Sequence, residues 1–89
     1  MMAMDKAIIV SDQCGACKAL LHGLDRKGAL ANYRVINVSS PEGAEIVSKL
    51  GITGVPDCIF IDKDKDGSPI ARRCTEEETK EVLKEASGA

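Results

Sequence analysis

Two cysteines separated by two residues, Cys14 and Cys17, constrain this chain more than any other feature. They follow the apolar run 7–10, which predicts a short strand over residues 6–10, and they precede a stretch of helix-forming residues. A cysteine at the start of a helix lies among unpaired N–H groups and the positive end of the helix dipole, and both favour the reactive thiolate. A CxxC motif in this setting predicts a redox-active thiol pair.

Size and composition limit the classes of protein that fit. The chain has 89 residues, so we expect residues 1–89 to form one domain with a modest core. Tyr33 and Phe60 are the only aromatic residues, so the core must consist mainly of Ile, Val, Leu and Ala. Few aromatic rings and a net charge of −2 argue against nucleic acid as a partner.

The sequence shows no sign of membrane insertion or export. Its apolar runs have the length of strands, so no membrane association is expected. Residues 1–6 lack a basic flank followed by a long apolar segment, so no signal peptide is predicted. We therefore expect a cytoplasmic location, where thiols are mostly kept reduced and structural disulfides are uncommon.

Apolar periodicity predicts the element order β-α-β-α-β-β-α. A helix is expected from residue 14 to about residue 28, and alternation over 33–38 predicts a second strand that lies parallel to the first. The second helix starts either at a capping box of Ser39 with Glu42, or at Ser40 with Pro41 in the first helical position. Gly51 is expected to end it.

The remaining residues predict a hairpin followed by a helix. Residues 58–61 are apolar on both faces, which is typical of a buried central strand, and a turn over 62–67 leads to a more polar strand over 68–74. Thr75 and Glu78 form a further capping box. The inner side of the last helix is expected to carry Thr79, Val82, Leu83 and Ala86.

This arrangement resembles the thioredoxin fold, in particular the small glutaredoxin-like and thioredoxin-like proteins, over nearly the whole chain. The resemblance rests on the CxxC at a helix start, on the strand at 33–38 and on Val55-Pro56 before the strand at 58–61. It implies an α/β fold with a mixed four-stranded sheet and helices on both faces. It also implies a cis peptide bond before Pro56 that faces the CxxC.

Several positions depart from the family pattern. Gln13 stands where thioredoxins carry a tryptophan, and Ile8 occupies the place of their buried aspartate. The lysine that glutaredoxins carry before the CxxC is absent, and Arg72 and Arg73 replace their Gly-Gly pair. The sequence thus lacks two features that help glutaredoxins to hold glutathione.

The resemblance implies a thiol-disulfide oxidoreductase in which Cys14 and Cys17 form the redox-active disulfide. Cys14 would be the nucleophile and Cys17 the resolving thiol, while Val55 and Pro56 would bind an extended substrate. The expected substrates are disulfides in proteins or small molecules, and the expected partners are disulfide-bearing proteins, with a reductase or a glutathione-like thiol as electron donor. No cofactor and no metal are expected, and the protein is expected to be a monomer.

Two other hypotheses remain open. Four thiolates suit zinc or an iron–sulfur centre, so Cys14 and Cys17 could bind metal together with Cys58 or Cys74. Alternatively, the chain could be a noncatalytic adaptor that binds partners beside Pro56.

The roles of the two dispersed cysteines depend on the hairpin register. A simple hairpin centred on Lys65 places Cys58 near Arg72 and Cys74 near Pro56, so that Cys74 approaches the predicted active site. Cys58 is expected to be an inert core residue, because free cysteine packs as a small hydrophobe. Cys74 is expected to be structural or incidental.

Overall fold

A computed structural model describes residues 4–87 and confirms the predicted order of elements. A short 3₁₀ turn at Leu30–Asn32 is an addition that the sequence did not predict. None of the helices in the described range is long and apolar enough to cross a membrane. The elements are β1 (Asp5–Val10), α1 (Gly15–Arg26), β2 (Arg34–Asn37), α2 (Pro41–Leu50), β3 (Asp57–Lys63), β4 (Pro69–Arg73) and α3 (Glu76–Ser87).

The four strands form one mixed sheet in the order β2-β1-β3-β4. β1 runs parallel to β2, as a connection through a helix requires, and β3 runs antiparallel to both β1 and β4. β3 is therefore a central strand and β4 an edge strand, which agrees with their predicted burial. The α/β architecture that the resemblance implied is confirmed.

Alternation along the central strands separates the core into two layers. Ile8 and Val10 point to one face of the sheet, and Ala7 and Ile9 to the other. The first layer, which we call the α1/α3 core, contains Ile8, Val10, Cys17, Leu24, Ala29, Tyr33, Cys58 and Val82. The second, the α2 core, contains Ala7, Ile9, Ile36, Ile46, Ile52, Ile59 and Ile61.

The helix boundaries follow from capping groups. Of the two predicted starts of α2, the structure has Ser40 as the N-cap with Pro41 as the first helical residue. The Ser40 hydroxyl accepts a hydrogen bond from the Gly43 N–H at 3.0 Å. Gly51 ends α2 in the left-handed conformation, at φ 65°, where a side chain would be strained.

The start of α3 confirms its predicted capping box, but its inner side differs from the prediction. The Thr75 N–H donates to Glu78 at 2.8 Å, and the Glu78 N–H donates to the Thr75 hydroxyl at 3.2 Å. Val82 is buried, whereas Leu83 is 53% exposed and lies at the margin of the inner side. Leu83 follows Val82 directly, so the helical rotation carries its side chain toward solvent, where it still lines the small cavity that Val82 and Ile8 border.

The register of the β3–β4 hairpin also differs from the prediction. Ile59 pairs with Arg73 and Phe60 with Arg72, so the next position places Cys58 opposite Cys74. A backbone hydrogen bond of 2.9 Å from the Cys74 N–H to the Cys58 carbonyl continues the pairing. The prediction that Cys58 lies near Arg72 is therefore wrong.

The turn explains this register. Gly67 adopts the left-handed conformation at φ 80°, and the Asp64 N–H donates to the Ser68 carbonyl at 2.9 Å. The Asp64 carboxylate also accepts hydrogen bonds from the Asp66 and Ser68 N–H groups. These bonds centre the loop on Asp66 rather than on Lys65, which moves each residue of β4 by two positions relative to β3.

We predict that replacing Gly43 with alanine destabilises the fold. A Cβ at this position would collide with the carbonyl oxygen of Asn37 at the end of β2, which is backbone and cannot move freely. The free energy of unfolding should fall by about 1–3 kcal/mol, measured by urea denaturation. Gly54→Ala is the control, because a Cβ there meets nothing within 4 Å. Equal stability of the two variants would contradict this packing.

Candidate active site

The two cysteines of the CxxC motif differ in their access to solvent. They form a disulfide, and their Cα atoms lie 5.2 Å apart. Cys14 is partly buried and serves as the N-cap of α1. Cys17, within the first turn, is only 1% exposed and belongs to the α1/α3 core. An external group therefore reaches Cys14 before Cys17.

Backbone groups at the start of α1 surround the Cys14 sulfur. The Cys17 N–H points at Cys14 Sγ over 3.0 Å, so the sulfur occupies the place of a capping oxygen. The first turn of α1 carries no acidic residue that would oppose negative charge there. With the helix dipole, this N–H favours negative charge on Cys14 Sγ whenever the disulfide is reduced.

The nearby carboxylate of Asp12 is held by another part of the chain. Asp12 lies two residues before Cys14, where a free carboxylate would oppose a thiolate by charge repulsion. In the structure its carboxylate accepts a hydrogen bond of 2.7 Å from the Asn37 side chain at the end of β2. Asp12 thus ties the segment between β1 and α1 to β2.

The segment that contains Val55 and Pro56 lies against the CxxC. The Val55–Pro56 peptide bond is cis, as the resemblance implied. Cys14 Sγ lies 3.6 Å from the Val55 carbonyl oxygen, although the two residues are 41 positions apart in the sequence. The structure therefore brings together all four residues that the sequence singled out.

A groove next to this segment was not predicted. It has a volume of about 320 Å³ and lies between Ser11, α2 and segment 52–55. Its lining is mostly apolar and includes Val38, Val47 and Ile52. The lining combines Ser11 with residues from the segment 38–55, which lies much later in the chain, so no local pattern could have indicated that they share a surface.

Cys58 and Cys74 form a second disulfide, with Cα atoms 5.3 Å apart. Cys58 is buried, as predicted, but the expectation that it is an unpaired core residue is wrong. Within residues 4–87, no group of three or more His, Cys, Asp or Glu side chains could hold a metal ion. The hypothesis of a cysteine-ligated metal centre thus finds no ligand set in this part of the chain.

Comparison with known proteins supports the fold. A thioredoxin from Thermus thermophilus, solved in solution, is similar in structure with a TM-score of 0.56. The match covers 91% of this chain and 72% of that chain, at 21% sequence identity. No protein-family model and no curated protein sequence matches. The chain therefore has the thioredoxin fold, with a CxxC pair at the start of α1.

We predict that a limiting amount of iodoacetamide modifies the reduced protein mainly at Cys14. Cys14 is partly exposed and lies at the helix N-terminus, whereas Cys17 is buried. The preference should be at least about tenfold, measured by peptide mapping with mass spectrometry. The same reaction in denaturant is the control and should label both cysteines equally. A preference for Cys17 in the folded protein would contradict the site geometry.

Proposed function

We propose that this protein is a thiol-disulfide oxidoreductase whose reactive pair is Cys14 and Cys17. The observation that carries the proposal is the position of the Cys14 sulfur. Cys14 is partly exposed at the start of α1. Its sulfur accepts a hydrogen bond from the Cys17 N–H and lies against the Val55 carbonyl oxygen. A thioredoxin as structural neighbour is consistent with this chemistry.

The proposed reaction has two exchange steps. In the reduced protein, the Cys14 thiolate attacks one sulfur of a substrate disulfide, and the other substrate sulfur leaves and takes a proton. Cys17 then loses its proton and attacks Cys14 Sγ in the mixed disulfide, which releases the second substrate sulfur as a thiol. Two electrons pass to the substrate, and the protein is left with the Cys14–Cys17 disulfide of the structure.

Each sulfur suits the role that we assign to it. The partial exposure of Cys14 permits attack on a protein-bound disulfide, and the adjacent N–H stabilises the thiolate. Cys17 is buried in the α1/α3 core, so it can attack a mixed disulfide at Cys14 but is not accessible to a substrate in solution. The cysteines carry the complete two-electron chemistry, so the proposed reaction needs no cofactor.

We further propose that the substrate is an extended segment of a disulfide-bearing protein. Its main chain would pair with Val55 beside Pro56, and an apolar side chain could enter the neighbouring groove. The oxidised protein would be returned to the dithiol by a reductase or a glutathione-like thiol. This cycle fits a reducing compartment such as the cytoplasm, where such a protein would serve electron transport and redox homeostasis.

An insulin reduction assay with dithiothreitol tests the proposal. The protein should accelerate precipitation of the insulin B chain, and Cys14→Ser should reduce the rate to that of dithiothreitol alone, because the attacking sulfur is lost. In a separate reaction without dithiothreitol, pre-reduced Cys17→Ser should accumulate a mixed disulfide with insulin at Cys14, visible by mass spectrometry. Cys74→Ser is the matched control, since it removes a thiol outside the CxxC, and it should retain activity.

Two outcomes would contradict the proposal. The first is an inactive wild-type protein that folds normally, which would leave the adaptor hypothesis in place. The second is a Cys14→Ser variant as active as the wild type, which would show that another group performs the exchange.

A further inference from the structure

The Cys58–Cys74 disulfide shows the same asymmetry as the CxxC pair. Cys58 lies near the start of β3, is 5% exposed and belongs to the α1/α3 core. Cys74 directly follows β4 and is only partly buried against that core. One sulfur is therefore shielded by the protein, and the other can be reached from outside. The exchange proposed for Cys14 and Cys17 uses neither of them.

Backbone contacts hold Cys58 and Cys74 together independently of the disulfide. The Cys74 N–H donates to the Cys58 carbonyl at 2.9 Å, which continues the β3–β4 ladder. Strand pairing of this kind keeps two thiols adjacent after reduction. Their effective concentration then stays high, so that the disulfide can form again without any rearrangement of the fold.

The chain on the other side of Cys74 is anchored as well. The Arg72 guanidinium donates to both carboxylate oxygens of Glu78, at 2.9 and 3.1 Å. Glu78 also accepts the Thr75 N–H. The hydrogen bonds from Arg72 and then from the Thr75 backbone lower the pKa of Glu78 to about 2. Glu78 therefore stays charged at neutral pH, and these contacts fix the residues on either side of Cys74.

The cavity beside the pair borders Cys58 and not Cys74. A small, mostly apolar cavity of about 40 Å³ lies next to Cys58 and is lined by Leu20, Pro56 and Val82 among others. It is far smaller than the groove beside Val55. A reaction partner therefore reaches the partly exposed Cys74 from solvent, and a low-molecular-weight thiol can do so without a binding groove.

We propose that Cys58 and Cys74 form a second redox site, which exchanges with low-molecular-weight thiols through Cys74. A small thiol attacks Cys74 Sγ and the Cys58–Cys74 bond breaks, while Cys58 Sγ takes the electron pair and a proton. A second thiol molecule then attacks the mixed disulfide and releases the Cys74 thiol. In total, two small thiols become one small disulfide, and the protein disulfide becomes two thiols. The reverse reaction with a small disulfide restores the pair.

A redox titration of a variant without the CxxC thiols tests whether this site is reversible. Cys14→Ser/Cys17→Ser protein is equilibrated with mixtures of reduced and oxidised glutathione, quenched with acid, alkylated and weighed by mass spectrometry. The pair should convert completely in both directions, while circular dichroism shows an unchanged fold. A disulfide that is reduced only after urea unfolds the protein would overturn the proposal and identify a purely structural cross-link. The result is independent of the proposed function, because that function requires Cys14 and Cys17.

A matched pair of variants tests the direction of attack. In the same background, Cys58→Ser leaves Cys74 as the single thiol, and Cys74→Ser leaves Cys58. With oxidised glutathione, Cys74 should form a mixed disulfide at least about tenfold faster than Cys58, because only Cys74 is accessible. Equal rates, or faster reaction of Cys58, would overturn the assignment. If the buried hydroxyl of Cys58→Ser impairs folding, Cys58→Ala replaces it. Mapping of the mixed disulfide trapped in the wild-type chain identifies the attacked cysteine without a further substitution.

Discussion

The antiparallel pairing of β1 with β3 is the constraint on which the candidate site depends. β1 ends where the chain turns into α1, and β3 begins directly after Pro56. Because the strands run in opposite directions, with Ile9 opposite Asp57, the end of one and the start of the other meet at the same end of the sheet. Cys14 and Val55 are therefore brought into contact by the sheet itself.

The two core layers keep this junction rigid from both sides. Alternation along β1 directs Ile8 and Val10 toward α1 and α3, and directs Ala7 and Ile9 toward α2. Val55 packs against both layers, so the segment before β3 is held from both faces of the sheet. A side chain at the junction of two layers has little freedom in a close-packed interior, which suits the substrate contact that we propose for Val55.

The sequence was sufficient for the features that depend on short separations. The CxxC at a helix start, the cap of α3, the two candidate caps of α2 and the order of elements all follow from residues within a few positions of each other. The cis bond at Pro56 followed from the resemblance to the thioredoxin fold and not from local preference, since most X–Pro bonds are trans. The exposure of Leu83 could not be predicted in this way, because the rotation of α3 about its axis is set by what the helix packs against.

The second disulfide joins residues that are distant in the sequence, so short-range sequence patterns did not predict it. Cys14 and Cys17 share one helical turn, so their proximity is a property of the sequence alone. Cys58 and Cys74 are 16 positions apart, and they meet only because the loop at Asp64 and Gly67 sets one hairpin register among several. A hairpin loop centred on Lys65 instead of Asp66 would shift β4 by two residues relative to β3. Arg72 would then lie opposite Cys58. The sequence by itself determined the CxxC motif and the type of fold. The tertiary structure decided which distant residues face each other, because that choice depends on the turn and on packing across the sheet.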